Sequence, residues 1–475
     1  MDDVTGALID VVGIEHVLTD AEQMEPYSHD ATFATKFPRM VIRPASTEDV
    51  AEVVGILASA GISITARGAG TGLSGGAVAT ESGAIVSLER LTDLHIDAPS
   101  LTATAGAGVM TAAIQAQAAE HGLMYPPDPA STLICTIGGN VATNAGGPSC
   151  LKYGVTAEYV IGLVVVLADA TVLRLGGRVR KRSGGYRLQQ LFIGSEGTLG
   201  IVTEVTVRLV PQPNHRATLL AAFDSVDAAA AAVSAILTSG NTPAACELID
   251  ATSLEFVKDL LPDDIPSHAA CLLLIDQDGN HEDAVADEMN KVKRIVERHG
   301  AFTVIAETQS GRDTLWQARR SIGLRLIERR AYRLAEDIAV PIDKISDMVR
   351  SVHEIASRNS VSVALFGHAG DGNLHPSLLF PDREPATLRR VSDTAAAIFD
   401  RAIELGGTVS AEHGVGTIKR GFLVNERSSV ELALLSAIKK VFDPRGLMNP
   451  GKVIPSTTAR ADGAFMDDLP GWLEV

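Results

Sequence analysis

The sequence predicts an α+β protein of more than one domain, and three observations predict it. At 475 residues the chain exceeds what one core ordinarily organises. Glycine-punctuated strands dominate from "MVIRPAST" at 40 to "EVTVRLVPQP" at 213, and beyond Pro213 the order strand–helix–strand is written twice. Hydrophobic residues at 46% and charged residues at 21% describe a soluble globular protein. A net charge of −17 argues against nucleic acid and anionic membrane surfaces, both of which attract basic patches. There is no apolar run of membrane-spanning length, and the acidic start "MDDVTGALIDVVG" is neither a signal nor a transit peptide. Cys135, Cys150, Cys246 and Cys271 lack paired spacing, which fits a reducing cytosol. A cytoplasmic enzyme is expected.

In chain order, residues 1–37 read as a lead-in with a short amphipathic helix. Helices are expected at 47–60 and 109–121, the first with Thr47, after Ser46, as its N-cap. "VIGLVVVLADATVLRL" reads as two strands joined by a turn at 168–170. After Pro213, "ATLLAAF", "SVDAAAAAVSAIL" and "ACELID" give strand, helix and strand. "AACLLLID", a helix over 281–299 and "AFTVIAET" repeat that order, suggesting helices on one face of a sheet. Helices follow at 312–330, 342–358 and 384–405, and "FDPRGLMNPGKVIP" is loop-like.

"TARGAGTGLSGGA" (65–77) contains a formal GxGxxG at Gly70, Gly72 and Gly75. A dinucleotide fingerprint must open a helix, and only the short, β-rich "GAVATES" separates these glycines from the next strand. The stretch therefore reads as a glycine-dense turn whose backbone N–H groups form an anion-binding nest. Two more glycine loops, within "YPPDPASTLICTIGGNVATNAGGPSCLKYGV" and "IGSEGTLGIVTEV", can wrap a long dinucleotide from other sides. A pyrophosphate held by backbone dipoles needs no basic patch, which suits the acidic total.

"RPASTEDV", "RGAGTGLSGG", "PPDPAS", "TIGGNVATNAGG", "GSEGTLGIVTE", "GHAGDGNLHP", "AEHGVG" and "DPRGLMNPGK" occur in one order, and together they resemble the FAD-linked 2-hydroxyacid dehydrogenases. These form the glycolate oxidase, D-lactate and D-2-hydroxyglutarate dehydrogenase branch of the vanillyl-alcohol oxidase-type flavoproteins, and the resemblance spans essentially the whole chain. It implies a vanillyl-alcohol oxidase/PCMH-type FAD-binding domain plus an α+β ferredoxin-like cap domain. The expected divisions are 1–37 (lead-in), 38–213 (FAD domain), 214–420 (cap with metal site) and 421–475 (segment returning to the FAD domain). The resemblance further implies that Arg67, Gly68, Ala69, Gly70, Thr71, Gly72, Ser74 and Gly75 cradle the FAD pyrophosphate. Gly138, Gly139, Thr143, Asn144, Gly146 and Gly147 would line the flavin and ribityl side. Glu196, Gly197, Gly200, Ile201 and Val202 would meet adenine and ribose, and Asn449 would approach the isoalloxazine. Members with covalent flavin carry His where this chain has Thr71, so FAD is expected to be non-covalent; Cys135 is a candidate thioether former.

"FGHAGDGNLHP" (366–376) reads as a loop with two histidines seven apart, a spacing that serves hydrogen bonding nearly as well as metal binding. "SAEHGVG" adds Glu412, and two imidazoles with one carboxylate suit Zn²⁺, Mn²⁺ or Fe²⁺. The resemblance supports His368, His375 and Glu412 as ligands of this divalent metal, with Asp371 read as a turn former. His413 is expected to take the substrate hydroxyl proton, with a fourth ligand or a hydrogen-bond donor as its other readings. Arg319, three after Trp316, matches the family's carboxylate-binding W-x-x-R, and Arg320 is its confusable neighbour. The hydroxyglutarate enzymes carry lysine where this chain has Ala335, which favours a small substrate such as glycolate or D-lactate over a dicarboxylate. The implied reaction is oxidation to the 2-oxo acid by hydride transfer to flavin, with a quinone, flavoprotein or partner subunit as acceptor. Rival readings are a metal-free FAD alcohol or sugar oxidase, a non-catalytic FAD electron-transfer subunit, and a flavin-free metallohydrolase.

Overall fold

The computed structural model describes residues 3–32, 35–263, 265–306, 308–329 and 332–455. The chain folds into two compact units. Among the described residues, the first takes the chain up to Gly146, Val155–Gln212, and the stretch from Glu412 to Pro455; the second takes Gly147–Gly154 and Pro213–Ala411. Residues 147–154 thus lie with the second unit rather than the first, because Lys152 Nζ and Tyr153 OH both bind the carboxylate of Asp278. The return to the first unit begins at Glu412 rather than 421.

The first unit opens with α1 (Asp3–Val12), whose Leu8 and Val12 join its core. A four-stranded sheet runs in the order β1 (Val17–Leu18), β2 (Met40–Ile42), β4 (Ala84–Ser87), β3 (Ile64–Arg67). β2 and β3 both pair parallel to β4. Between β2 and β3 lies α2 (Thr47–Ser59), whose Val50, Val53, Val54 and Leu57 recur at helical spacing and are fully buried. Each such side chain contributes roughly 1.5–3 kcal/mol by leaving water. The cap is Ser46, not Thr47: its Oγ accepts from the Asp49 N–H at 3.0 Å. A second, antiparallel sheet orders β5 (Leu94–Asp97), β6 (Thr102–Gly106), β9 (Ile201–Arg208), β7 (Val160–Val166) and β8 (Val172–Gly176). The turn expected between β7 and β8 is present, with Ala170 at φ 69°.

Two helices of seven or more residues in this unit escaped the sequence reading. Beside α3 (Thr111–Ala119), the stretch "IGGNVAT" is α4 (Ile137–Thr143), capped by Thr136, whose Oγ1 accepts from Gly139 N–H at 3.3 Å. Its two glycines are poor helix formers, so the cap and burial decide. The C-terminal helix Ser429–Phe442 carries a capping box between Ser428 and Glu431 but buries no residue.

In the second unit, β10 (His215–Phe223), α5 (Val226–Thr238), β11 (Ala245–Asp250), α6 (Ala251–Val257), β12 (Cys271–Gly279), α7 (Glu282–Arg298) and β13 (Phe302–Ala306) follow one another. Their sheet order β13-β10-β12-β11 is the fourth-first-third-second order of a ferredoxin-like arrangement. α8 (Gln309–Arg329), β14 (Tyr332–Ala335), α9 (Ile345–Arg358), β15 (Ser362–His368), β16 (Asn373–Phe380) and α10 (Pro385–Glu404) complete the unit. β15, β16 and β14 extend the sheet beyond β11, every pair antiparallel.

The two helices of the repeat, α5 and α7, pack together as the sequence implies, and α8 covers the sheet's other face. Leu220, Leu274, Ile249 and Phe366 form one face with Trp316 and Ile322 of α8. The alternating set Leu219, Leu248, Leu273 and Leu365 points the opposite way and is equally buried. A sheet so apolar on both sides has to be covered on both.

Candidate active site

Within the first unit, the loop 68–83 joins the parallel strands β3 and β4 without secondary structure of its own. Together with the loop before α4 and the turn before β9, it walls a cavity. Of the expected cofactor residues, Arg67, Gly68, Ala69, Gly70, Thr71, Gly72, Ser74, Gly138, Gly139, Thr143, Gly146, Glu196, Gly197, Gly200 and Val202 line it. At Gly70 the backbone is left-handed (φ 70°), and a Cβ there would stand 2.1 Å from Arg67 Nη2. Glycine is therefore what lets the chain curl around the buried guanidinium, which donates to the Pro26 carbonyl at 3.0 Å. Burial pulls the Arg67 pKa down, and the nearby Asp30 opposes it.

Five expected residues stand outside the cavity wall. Ile201 is a fully buried core residue of β9. Asn144 ends α4 in the left-handed region, and its Oδ1 accepts the Ala157 N–H at 2.8 Å. Gly75 packs against Thr417, and Gly147 belongs to the second unit. Asn449 is a clasp: its Oδ1 accepts from Thr65 Oγ1 at 3.1 Å, and its Nδ2 donates to the carbonyls of Gly76 (2.9 Å) and Glu196 (2.7 Å). All its amide chemistry is spent on holding loops, so it shapes the cavity from behind.

Glu412 and His413 also line this cavity, and two polar side chains hold their segment there. Ser74 Oγ donates to the carbonyls of His413 (3.2 Å) and Gly414 (2.8 Å). The Glu196 carboxylate accepts from the N–H groups of Val415 at 2.6 Å and Gly416 at 2.9 Å. Burial pushes the Glu196 pKa up, while those two backbone bonds oppose the shift. Gly416 has φ 52°, and a Cβ there would meet the Ser74 carbonyl oxygen at 1.8 Å. This is why the chain rejoins the first unit at Glu412. Sequence reasoning gave Glu196 to the nucleotide; in the cavity wall its carboxylate also binds the backbone of the histidine-bearing segment. The wall fits a dinucleotide: it offers close-approach glycines, hydroxyls and backbone N–H groups, with Cys135 beside them.

In the second unit the two histidines sit on paired strands, not on a pliable loop. His368 ends β15, His375 lies in β16, and only residues 369–372 turn between them. The register sets His368 opposite Asn373 and Phe366 opposite His375, so both imidazoles project from one face. Their ring centroids are 5.0 Å apart, edge to face, and both side chains are buried. His368 Nδ1 lies 2.6 Å from Glu247 Oε1, and His375 Nδ1 lies 3.5 Å from Asp337 Oδ1. The carboxylate hydrogen-bonded to Nδ1 of His368 leaves its Nε2 as the outward donor, the arrangement that metal-ligating histidines adopt, and Asp337 stands at ion-pair distance from His375. The donor set therefore fits a divalent cation.

Sequence reasoning missed Glu247. Its only signal was a glutamate at an inward position of the strand "ACELID". Glu247 is fully buried, and its Oε2 also binds Arg319 Nη2 at 2.6 Å. Burial alone would raise its pKa, but the charges and hydrogen bonds of His368 and Arg319 prevail and lower it. Arg319, the expected substrate binder, is thus committed to Glu247, with its guanidinium 4.8 Å from the Phe366 ring centroid. Arg320 is exposed, and Ala411 N–H donates to Asp337 Oδ2 at 2.8 Å.

Comparison with known proteins bears on the whole chain. An FAD-binding domain model matches residues 38–176, and the model of the C-terminal domain of FAD-linked oxidases matches residues 212–453. The chain belongs to the FAD-linked oxidase family. It is 41% identical to a glycolate oxidase subunit of Bacillus subtilis, over 95% of this chain and 96% of the relative. It is 34% identical to a D-lactate dehydrogenase of Anaerostipes hadrus, over 92% and 94%. A solved p-cresol methylhydroxylase shares the fold at TM-score 0.78 and 18% identity, over 95% of this chain and 96% of that one. The PCMH-type FAD-binding fold expected from the sequence is the fold observed, and the chain is an FAD-dependent oxidoreductase. Among the described residues no helix is long and apolar enough to cross a membrane.

Proposed function

We propose that this oxidoreductase oxidises a small 2-hydroxy acid of the glycolate or D-lactate kind to its 2-oxo acid, with non-covalent FAD and a divalent cation. The observation that carries the reading is that His413 and Glu412 sit in the wall of the glycine-lined cavity. The relatives named for glycolate and D-lactate support the substrate class. The reaction takes a proton from the hydroxyl oxygen and a hydride from C2, and bound FAD supplies the acceptor for the hydride. The imidazole of His413 accepts the hydroxyl proton, a task suited to an imidazole near neutral pH. His368 and His375, oriented by Glu247 and Asp337, hold the cation, which polarises the hydroxyl when bound. Glu412 is the third ligand. It follows Ala411, whose amide is fixed to Asp337. Thr71, in place of a linking histidine, leaves FAD releasable. Electrons then pass to a quinone, a flavoprotein or a partner subunit.

The test is anaerobic mixing of purified, metal-supplemented protein with glycolate, D-lactate and D-2-hydroxyglutarate while flavin absorbance is followed. Rapid bleaching by the smaller acids is expected; a yellow protein that none of them bleaches ends the proposal. His375→Ala is expected to lose both metal and turnover, and unchanged turnover would dismiss the cation. Acid precipitation should release all the flavin into the supernatant.

A further inference from the structure

The chain's charge of −17 is unevenly spread, and one stretch of the first unit opposes it. Residues 174–187, "RLGGRVRKRSGGYR", hold Arg174, Arg178, Arg180, Lys181, Arg182 and Arg187 with no Asp or Glu between them. Arg174 lies on β8, and residues 178–188 follow as a loop exposed at every position. Arg178 pairs with Asp97, and Arg182 donates to the Gly176 carbonyl. Among the described residues no carboxylate pairs with Arg174, Arg180, Lys181 or Arg187. Mutual repulsion makes such a cluster a cost to the isolated chain, which an anionic partner offsets.

Composition narrows the partner. Tyr186 is 96% exposed and Val179 61%, so the loop offers a bare aromatic ring and an aliphatic side chain among its cations. All the cations but Lys181 are arginine. Tyrosine and arginine are enriched in protein–protein contacts, whereas lysine is depleted there. The chain's overall charge disfavours a membrane or a nucleic acid, whose anionic surface extends well beyond one loop. A protein can confine its acids to one complementary patch.

Position says what that protein does. Leu188 leads from the loop into the short helix Gln189–Phe192, and Phe192, Ser195 and Glu196 line the cavity that fits FAD. From Tyr186 to Phe192 the chain can span at most about 20 Å. A partner seated on this loop is therefore close to the place where electrons must leave the reduced cofactor.

We propose that residues 174–187 dock the acidic face of a protein that accepts the electrons. The proposal deepens the oxidation proposed above by choosing a protein over a quinone, an uncharged ring that makes no use of a cationic loop. It rests on the acceptor step of that reading and not on its substrate.

The test uses the FAD-loaded protein reduced with dithionite, so that no 2-hydroxy acid enters it. Two haem carriers of opposite charge are the probes: soluble cytochrome b5, which is acidic, and cytochrome c, which is basic. Each carrier takes one electron, so two are reduced per flavin while the flavin's protons pass to water. Raising the salt to about 0.5 M should slow reduction of the acidic carrier about 10- to 100-fold. The triple variant Arg180→Gln, Lys181→Gln, Arg187→Gln should slow it similarly at low salt. The basic carrier should show neither fall, and reoxidation by dissolved oxygen, small and neutral, should be the same in both proteins. Carbodiimide coupling, which joins lysine to carboxylate, should link Lys181 of wild type to cytochrome b5 in peptide maps. The proposal is overturned if wild type fails to reduce the acidic carrier, if the variant reduces it as fast as wild type, or if cross-links form only at other lysines. Sedimentation of wild type but not the variant with phosphatidylglycerol vesicles, without a Lys181 cross-link, would assign the loop to a lipid surface and overturn the protein partner.

Discussion

Glu247→Gln would remove a single charge from the Arg319–Glu247–His368 chain with almost no change of volume. Glu247 is fully buried and touches both partners at 2.6 Å, so the substitution strands the Arg319 guanidinium without a counter-ion. Breaking a buried pair from one side costs about 3–5 kcal/mol. At roughly 2–4 °C per kcal/mol for a domain of this size, the melting temperature of the second unit should fall by about 6–20 °C. Metal affinity should fall about 10- to 100-fold, because His368 loses the carboxylate that fixes its ring. Differential scanning calorimetry with and without added Zn²⁺ or Mn²⁺ measures both effects. The double variant Glu247→Gln, Arg319→Met should recover much of the lost stability, since it leaves no orphan charge. A fall under about 2 °C with metal affinity intact would show that the chain carries no such energy.

Gly416→Ala should impair FAD retention, because its Cβ would collide with the Ser74 carbonyl oxygen at 1.8 Å and φ 52° disfavours a side chain; the ratio of flavin to protein absorbance reads the loss. Burial lowers the Lys452 pKa to about 8, so above that pH the folded state sheds a proton that the unfolded chain keeps up to about 10.4. Its contribution therefore makes wild type gain stability as pH rises from 8 to 10, by up to about 3 kcal/mol, and Lys452→Met should lose that gain in urea titrations. Burial pushes the Cys271 thiol up to about 12 and the Cys246 thiol higher still, so both should resist iodoacetamide at pH 8 in the native protein. Cys150, the one partly exposed thiol, should be labelled first by peptide mass mapping.

Much of the cavity was legible because its makers are local. A glycine loop between parallel strands builds its own nest, so 68–72 and 138–139 line the wall as the sequence implied. What was not legible shares a cause. Asn449, Glu196 and Arg319 were assigned to ligands by motif, and each also binds a protein group at least 72 positions away, which no local pattern records. Ser429–Phe442 was not legible, although Ser428 and Glu431 form a capping box, because a helix that buries no residue carries no core-facing apolar stripe.

What the sequence determined by itself was the alternation of strands, helices and glycine turns, hence the fold and the two histidines seven apart, since backbone preference and hydrophobic period act over a few residues. Only the tertiary structure decided that those histidines face one way from paired strands, that Glu247 and Asp337 stand behind them, and that Arg319 pairs with Glu247. Charge is the reason. A pattern records where an ionisable group lies along the chain, but whether it meets a partner in a medium without water depends on strands that pair across a hundred residues or more.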